Sequence, residues 1–322
     1  MAQLRISEDK ALYRKILAEN TFCLPIFYQP FWLDATASPE NWQVRIVLEK
    51  NQPICVFPFV LKHKWGLPLI RKPLFTPFLG IKFPSVEIIR PYKWLNQSKA
   101  AIHVLLESLP KALHIQIVCS SPFAAGAVMQ WAGFRQNVRY FNVLDLEGQP
   151  EECWLRLSKS LRKQIRGSEQ YFKSTFGFSV DRYYQLQQAV FERQQLPIPF
   201  SRGQVARVVE QLEKRKIGGI LEAVDEDKLS QSSRLLLLDP PYCYSLGLGT
   251  NLGRSGREAG KFLTWRAIQL AKSRGCQFLH FGGSMIEGVY EFNTSFGAEA
   301  VPYYEFTRCR NRLWRLSELF QK

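Results

Sequence analysis

The sequence predicts two tandem units of mixed α/β structure, each a mostly antiparallel sheet flanked by helices. Three observations lead there. The chain has 322 residues, and single hydrophobic cores usually stop growing near about 250 residues, so two domains are expected. Hairpin-like runs of β-branched and aromatic residues occur in each half, at 42–61 and at 220–250. The order of elements in the first half (helix, antiparallel strands, helix, strand, helix or loop, strand) recurs in the second without any residue-level repeat. A new unit is expected to begin near Gly148-Gln149-Pro150, giving a first domain over 1–148 and a second over 149–322.

In the first half, WQVRIVLEK and PICVFPFVL form a hairpin turning at Asn51-Gln52. The stretch 62–91, rich in proline and aromatics, reads as an irregular wrapped loop. A helix is expected over 94–109, ended by Pro110. HIQIVCS is a strand, 122–132 a helix with Gly133 at its C-cap, and VRYFNVLDL a strand. In the second half, 151–172 reads as one strongly basic helix, FSVDRY as a strand, and 183–195 and 202–215 as helices separated at Pro197 and Pro199. Gly218-Gly219 leads into strands ILEAVDED, SSRLLLLD and YCYSLGLGT. A Gly-rich loop, a helix over 261–273, Gly275, the strand QFLHFGG, a short segment and the strand PYYEFTR follow. NRLWRLSELF reads as a short amphipathic helix, too short to anchor alone on an anionic membrane.

Composition narrows the function classes. Hydrophobic residues make up 46% and charged residues 22% of the chain, an ordinary globular balance that argues against disordered and fibrous proteins. Charged residues from Arg5 to Glu19 leave no room for a secretory signal core, and no apolar run is long enough to span a bilayer, so a cytoplasmic protein is expected. The seven cysteines show no CxxC spacing and read as small buried apolar residues in a reducing compartment. The four histidines form no metal-like cluster with them, so no metal is expected. The formal net charge of +15 favours a polyanionic partner: nucleic acid, a phosphate-bearing cofactor or an anionic membrane surface. The alternative is a basic surface with no specific partner.

The most informative run is 242–262. A strand, YCYSLGLGT, enters N-L-G-R-S-G-R-E-A-G and then a helix. Gly253, Gly256 and Gly260 let backbone approach a ligand, the helix N-terminus supplies unpaired N–H groups and a positive dipole end, and Arg254 and Arg257 add charge beside Ser255. Together they predict a pyrophosphate or anion site; the plain alternative is a flexible polar turn with solvated arginines. A dinucleotide fingerprint is rejected, because after Gly247-x-Gly249 position 252 is Leu and the preceding strands are hairpin strands.

Strand, R-x-x-G-type loop and helix resemble the way GNAT acyltransferases cradle the pyrophosphate of acyl-CoA. The stretch F-L-H-F-G-G-S-M-I-E-G-V-Y-E-F-N-T-S-F-G-A-E (278–299) resembles the C-terminal signature of the FemAB-like branch, and Y-Q-P-F-W-L-D (28–34) and L-S-K-S-L-R-K-Q-I-R (157–166) fit the same family. The resemblance spans nearly the whole chain. It implies two GNAT-like domains and transfer of an acyl or aminoacyl group, from acyl-CoA or aminoacyl-tRNA, to an amine, with a lipid-linked cell-wall or polysaccharide precursor among the acceptors. Members using charged tRNA tend to carry a basic residue after the phenylalanine at 292; here it is Asn293. The first half, where prolines fill 62–93, is expected to have lost donor binding and to supply a wall of the acceptor cleft.

Amine acylation needs a neutral amine and a stabilised carbonyl oxygen. Glu222, on a central-looking strand, is a candidate general base, weighed equally against an outward-facing charge. Tyr290 and Tyr244 can donate to the leaving thiolate or 3′-oxygen, and Ser284, after two glycines at a strand end, can meet ligand. Glu291 and Phe292 of the signature, with Gln29 and Trp32 of the first half, are candidate substrate contacts; Glu287 and His280 read as surface and core residues. Arg162 and Arg166, four apart on one helix face, can hold phosphates of tRNA or of a lipid diphosphate. The competing function is a non-catalytic RNA-binding or structural protein of the same fold.

Overall fold

The computed structural model describes residues 3–310 apart from positions 21, 23, 65, 85–89 and 284, and at 254 it describes the backbone alone. The expected helix NRLWRLSELF lies outside the described residues. The first set of elements is β1 (Leu4–Ser7), α1 (Lys10–Ala18), α2 (Pro30–Ala37), β2 (Trp42–Glu49), β3 (Gln52–Lys64), β4 (Leu67–Arg71), α3 (Pro91–Glu107), β5 (His114–Ser120), α4 (Gly126–Trp131) and β6 (Arg135–Asp145). The second is α5 (Pro150–Arg156), α6 (Lys159–Ser168), β7 (Lys173–Gly177), α7 (Val180–Arg193), α8 (Arg202–Arg215), β8 (Gly218–Val224), β9 (Ser230–Asp239), β10 (Tyr242–Thr250), α9 (Gly253–Ser273), β11 (Phe278–Gly283), α10 (Glu287–Thr294) and β12 (Glu299–Cys309). No described helix is long and apolar enough to cross a membrane.

The chain forms two compact units, Met1–Arg139 with Pro302–Lys322, and Tyr140–Val301. A division at 148/149, with everything beyond it in the second half, was expected; β12 instead completes the first unit and β6 the second. In the first, the strand order is β1-β2-β3-β4-β5-β12. Neighbouring strands there run antiparallel except β4 and β5, which α3 connects as a parallel crossover. In the second, the order is β6-β11-β10-β9-β8-β7, and β10 and β11, joined through α9, are the parallel pair.

Local chemistry explains these elements. Lys50 and Asn51 both take positive φ, as the tight turn of the β2–β3 hairpin demands. Asp9 caps α1 and the Ser201/Gln204 capping box starts α8. In the first unit Phe57, Phe59, Ile70, Ile102, Leu105, Ile117 and Phe306 pack one core. In the second, Leu221, Ala223, Leu236 and Cys243 of the sheet pack against Ala259, Phe262 and Leu263 of α9 and Leu161 and Ile165 of α6. Among the described residues Cys55, Cys119, Cys153, Cys243 and Cys276 are buried and form no disulfide.

Several expected elements differ. Within 62–91, β3 continues to Lys64 and β4 follows, because Lys62 and Lys64 keep pairing with Leu69 and Leu67. The single basic helix is two: Leu157 is extended and Ser158 caps α6 by accepting from the Leu161 N–H. FSVDRY is not a strand, since α7 begins at Val180 and turns Tyr183, Leu186 and Gln187 inward at helical spacing. The glycine-rich loop before residue 261 is the first two turns of α9.

Candidate acyl-donor site

In the second unit β10 and β11 pair at only three positions, ending with Tyr244 beside His280. Beyond that point β10 bulges between Ser245 and Gly247 but stays paired to β9 as far as Thr250. On its other side β11 shifts register against β6 between His280 and Gly283. The two parallel strands therefore part at the bulge, a common way for a sheet to open backbone beside a site. In the first unit β4 and β5 pair only at Leu69/His114 and Ile70/Ile115. There the chain occupies its own gap: Leu79 bridges to Val118 of β5, Lys82 bridges to Val56 of β3, and the Tyr28 hydroxyl both donates to and accepts from Gly80.

Past Thr250, Asn251 fixes the turn into α9. Its N–H donates to the Gln231 carbonyl at 2.9 Å, its side-chain amide donates to Gln231 Oε1 at 3.0 Å, and its Oδ1 accepts from the Leu252 N–H at 2.8 Å. Leu252 is the N-cap of α9 and offers no side-chain acceptor, and no acidic residue sits in the first turn. Among the described residues no side chain caps the first N–H groups of this 21-residue helix, whose N-terminus is the positive end of its dipole.

The three glycines differ in kind. Gly253 has φ +83°, with nothing within 4 Å of an added Cβ. Gly256 packs on the turn: a Cβ there would lie 2.1 Å from the Asn251 carbonyl oxygen. Gly260 is less crowded, 3.2 Å from the Thr250 methyl. Ser255 and Arg257 are exposed, while the Arg254 side chain lies outside the described residues.

Glu222 sits on β8, 3% exposed, and the outward-facing alternative is overturned. Its neighbours Leu221 and Ala223 face α9, so by alternation Glu222 faces the opposite side, with Ser233 and Gly249 beside it across β9 and β10. There α7 approaches closely, Leu186 and Gln187 lying against Gly249. Glu222 Oε1, Ser233 Oγ, Tyr183 OH and Gln187 Nε2 are all buried, and among the described residues none has a hydrogen-bond partner. Tyr244 is buried, 5.1 Å from the His280 ring, and burial pushes its phenol well up. His280 is buried as expected, with its pKa lowered to about 4 by desolvation; its Nδ1 accepts from the Gly282 N–H.

Tyr290 and Glu291 lie on α10, half-buried and exposed respectively; Ser284 is outside the described residues. Phe292 is half-buried and packs on the core, 5.3 Å from Phe296. One expected contact needs correction. Trp32 has no exposed surface, packs edge-on against Phe27 and donates its indole N–H to Thr76 Oγ1, so it is not open to a substrate. Gln29 is half-buried at the N-cap of α2. On α6, Arg166 is exposed over the Trp154 ring and Arg162 half-buried. Lys261 of α9 donates to Gln164 at 2.5 Å, bringing the basic helix beside α9. Asn293 is buried and donates to Asn142 Oδ1 at 3.2 Å.

Sequence reasoning missed Arg234. It is 2% exposed, and its Nη1 and Nη2 donate to Ser245 Oγ at 2.6 Å and Thr264 Oγ1 at 2.7 Å. Desolvation pulls its pKa down to about 10. A signal was present: the arginine in S-S-R-L-L-L-L stands directly before four leucines of one strand.

No family model matches the sequence, and no curated protein matches it significantly. Solved structures do. FemX superposes with a TM-score of 0.68 at 11% identity over 97% of this chain and 99% of that one. A tandem GNAT protein from the clavulanic acid biosynthesis pathway gives 0.57 at 12% identity over 96% and 99%. L-PGS from Bacillus licheniformis gives 0.56 at 11% over 97% and 96%. At such identities the likeness is one of fold, and the fold is that of two GNAT-like units in tandem, each a mixed, mostly antiparallel sheet flanked by helices.

Proposed function

We propose that this protein is an N-acyltransferase whose second unit binds a phosphate-bearing acyl donor, acyl-CoA or aminoacyl-tRNA, and passes the acyl group to an amine. The observation that carries this reading is the N-terminus of α9, without a side-chain cap or an acidic residue in its first turn, reached from a β10 that has parted from β11 after Tyr244. Phosphates meet the helix end and the exposed Arg257, while the acyl chain extends along the gap. In the first unit the corresponding gap is filled by its own chain, which supports a single donor site. Glu222 is the candidate base, because a buried carboxylate with an unpaired oxygen can accept a proton directly or through solvent. The basic face of α6 beside α9 suits the remaining phosphates of a polyanionic donor or of a lipid-linked cell-wall or polysaccharide acceptor.

The test is thermal stabilisation by acetyl-CoA, CoA and charged tRNA at several salt concentrations, since a ligand of the folded state raises the melting temperature by mass action. Ser255→Glu, exposed in the first turn, places a negative charge where phosphate would sit while favouring the helix itself. Stabilisation of the wild type that disappears in Ser255→Glu supports the site. No response to any donor refutes it, and RNA binding untouched by Ser255→Glu but lost with Arg162 and Arg166 points to the non-catalytic alternative.

A further inference from the structure

Arg234 is buried more deeply than Glu222, and among the described residues no carboxylate pairs with it. Two hydroxyls take its Nη atoms, and Nε has no partner. A guanidinium withdrawn from water with only neutral partners is costly, and a negative charge nearby relieves that cost. The position of Arg234 is specific. One hydroxyl is Ser245, paired with Leu236 just before the bulge and one step beyond the last β10–β11 pair, and the guanidinium lies 5.6 Å from the ring centroid of Phe281 on β11. The charge thus reaches from one parting strand to the other.

Ser245 is 7% exposed, and its oxygen is the acceptor in the Arg234 bond. Its own proton is free to be donated, and among the described residues no acceptor takes it. Across from it on β11, Gly282 has φ +86°, and a Cβ there would lie 4.0 Å from the Ser245 carbonyl oxygen.

We infer that Ser245, polarised by the Arg234 guanidinium behind it, donates a hydrogen bond to the acyl carbonyl oxygen of the donor as that oxygen takes up negative charge. This rests on the transferase reading above. In the step, the amine nitrogen bonds to the carbonyl carbon and the C=O π pair moves onto oxygen. The pair then returns and the C–S or C–O bond breaks, its electrons leaving on the thiolate or the 3′-oxygen. The proton lost by the amine passes to a base or to solvent, and the serine proton stays on serine throughout. A pre-set donor with a fixed charge behind it, away from water, favours the charged state over the neutral carbonyl.

Isotope-edited infrared spectroscopy of the full-length protein reads this directly. The probes are acetyl-CoA and an aminoacylated RNA minihelix, each carrying 13C at its carbonyl. In the wild type the bound carbonyl stretch is expected at lower frequency than in water, Ser245→Thr keeps the shift, and Ser245→Ala returns it toward the aqueous value with donor affinity little changed. Ser245→Cys, a weak donor of similar shape, is the second variant should alanine perturb folding. Once an acceptor is in hand, loss of the donor is expected to lower kcat by about 10²–10³ with KM little altered. A probe that binds with the same carbonyl frequency in wild type, Ser245→Ala and Ser245→Cys overturns the inference and leaves the transferase reading standing. If neither probe raises the melting temperature, the transferase reading falls and this inference with it.

Discussion

Two glycine-to-alanine substitutions four residues apart on α9 should behave oppositely. At Gly256 the new Cβ would sit 2.1 Å from the Asn251 carbonyl oxygen and 2.7 Å from its carbon. Neither is the end of a flexible side chain, and Asn251 is held by hydrogen bonds to Gln231 and to the Leu252 N–H. Backbone must therefore move, which places the cost at the upper end of overpacking, about 3 kcal/mol, against a helix-propensity gain of at most about 1 kcal/mol. The net expectation is a loss of about 2 kcal/mol. At Gly260 the nearest atom is the Thr250 methyl at 3.2 Å, which can yield by a few tenths of an ångström. There strain and propensity gain nearly cancel, so the expected change is within about 0.5 kcal/mol of zero. Urea denaturation with an unchanged m-value reads both. Acetyl-CoA stabilisation should weaken in Gly256→Ala and persist in Gly260→Ala. Equal stability of the two variants would refute the argument that the turn, not a bound ligand, requires glycine at 256.

Three other outcomes are expected. His280, with an ordinary pKa of 6.5 lowered to about 4, binds fewer protons folded than unfolded between those values, so wild-type stability should fall as pH drops through that window. The loss approaches about 3 kcal/mol below pH 4 and should be absent in His280→Phe, as seen in urea midpoints against pH. Lys72 is half-buried, donates to the Thr76 carbonyl at 2.5 Å, and is lowered to about 8 first by desolvation, with Lys62 adding to it against the opposing pull of Glu305. Below pH 8 the charged form is disfavoured in the fold, so Lys72→Met should be the more stable protein there, the difference shrinking as pH rises toward 10.5. Asn293→Lys removes the bond to Asn142 at a buried position and should cost about 1–3 kcal/mol by thermal melting, without strengthening the response to charged tRNA over that of the wild type.

Much of the architecture was legible because its signals are local. The β2–β3 hairpin follows from β-branched alternation around a turn that Lys50 and Asn51 close, and α8 from its capping box. The start of α9 was not, because glycine is a poor helix former and three of them in eight residues read as loop. Tertiary packing overrode that preference, since only hydrogen fits between Gly256 and Asn251. The break between α5 and α6 was hidden for the opposite reason: basic residues on both sides kept a helix-like pattern across Leu157. For the site, the strand YCYSLGLGT was readable from local pattern, whereas the parting of β10 from β11 is a matter of register between distant strands. Trp32 matched a family motif and proved to be a packing residue, because aromatic side chains serve cores and ligands alike.

The placement of β12 bears on how the molecule is made. The first unit is discontinuous: β5 finds its antiparallel neighbour only in Tyr303–Cys309, nearly two hundred residues further along the chain. A ribosome that has released every residue up to 301 has therefore produced a first unit whose β5 still presents an unpaired edge, open to pairing with another chain. The first unit can close only after the whole of the second has been synthesised. Expressing 1–148 alone would leave that edge bare for good, so a soluble fragment is better sought by supplying the β12 sequence as a separate peptide than by moving the cut.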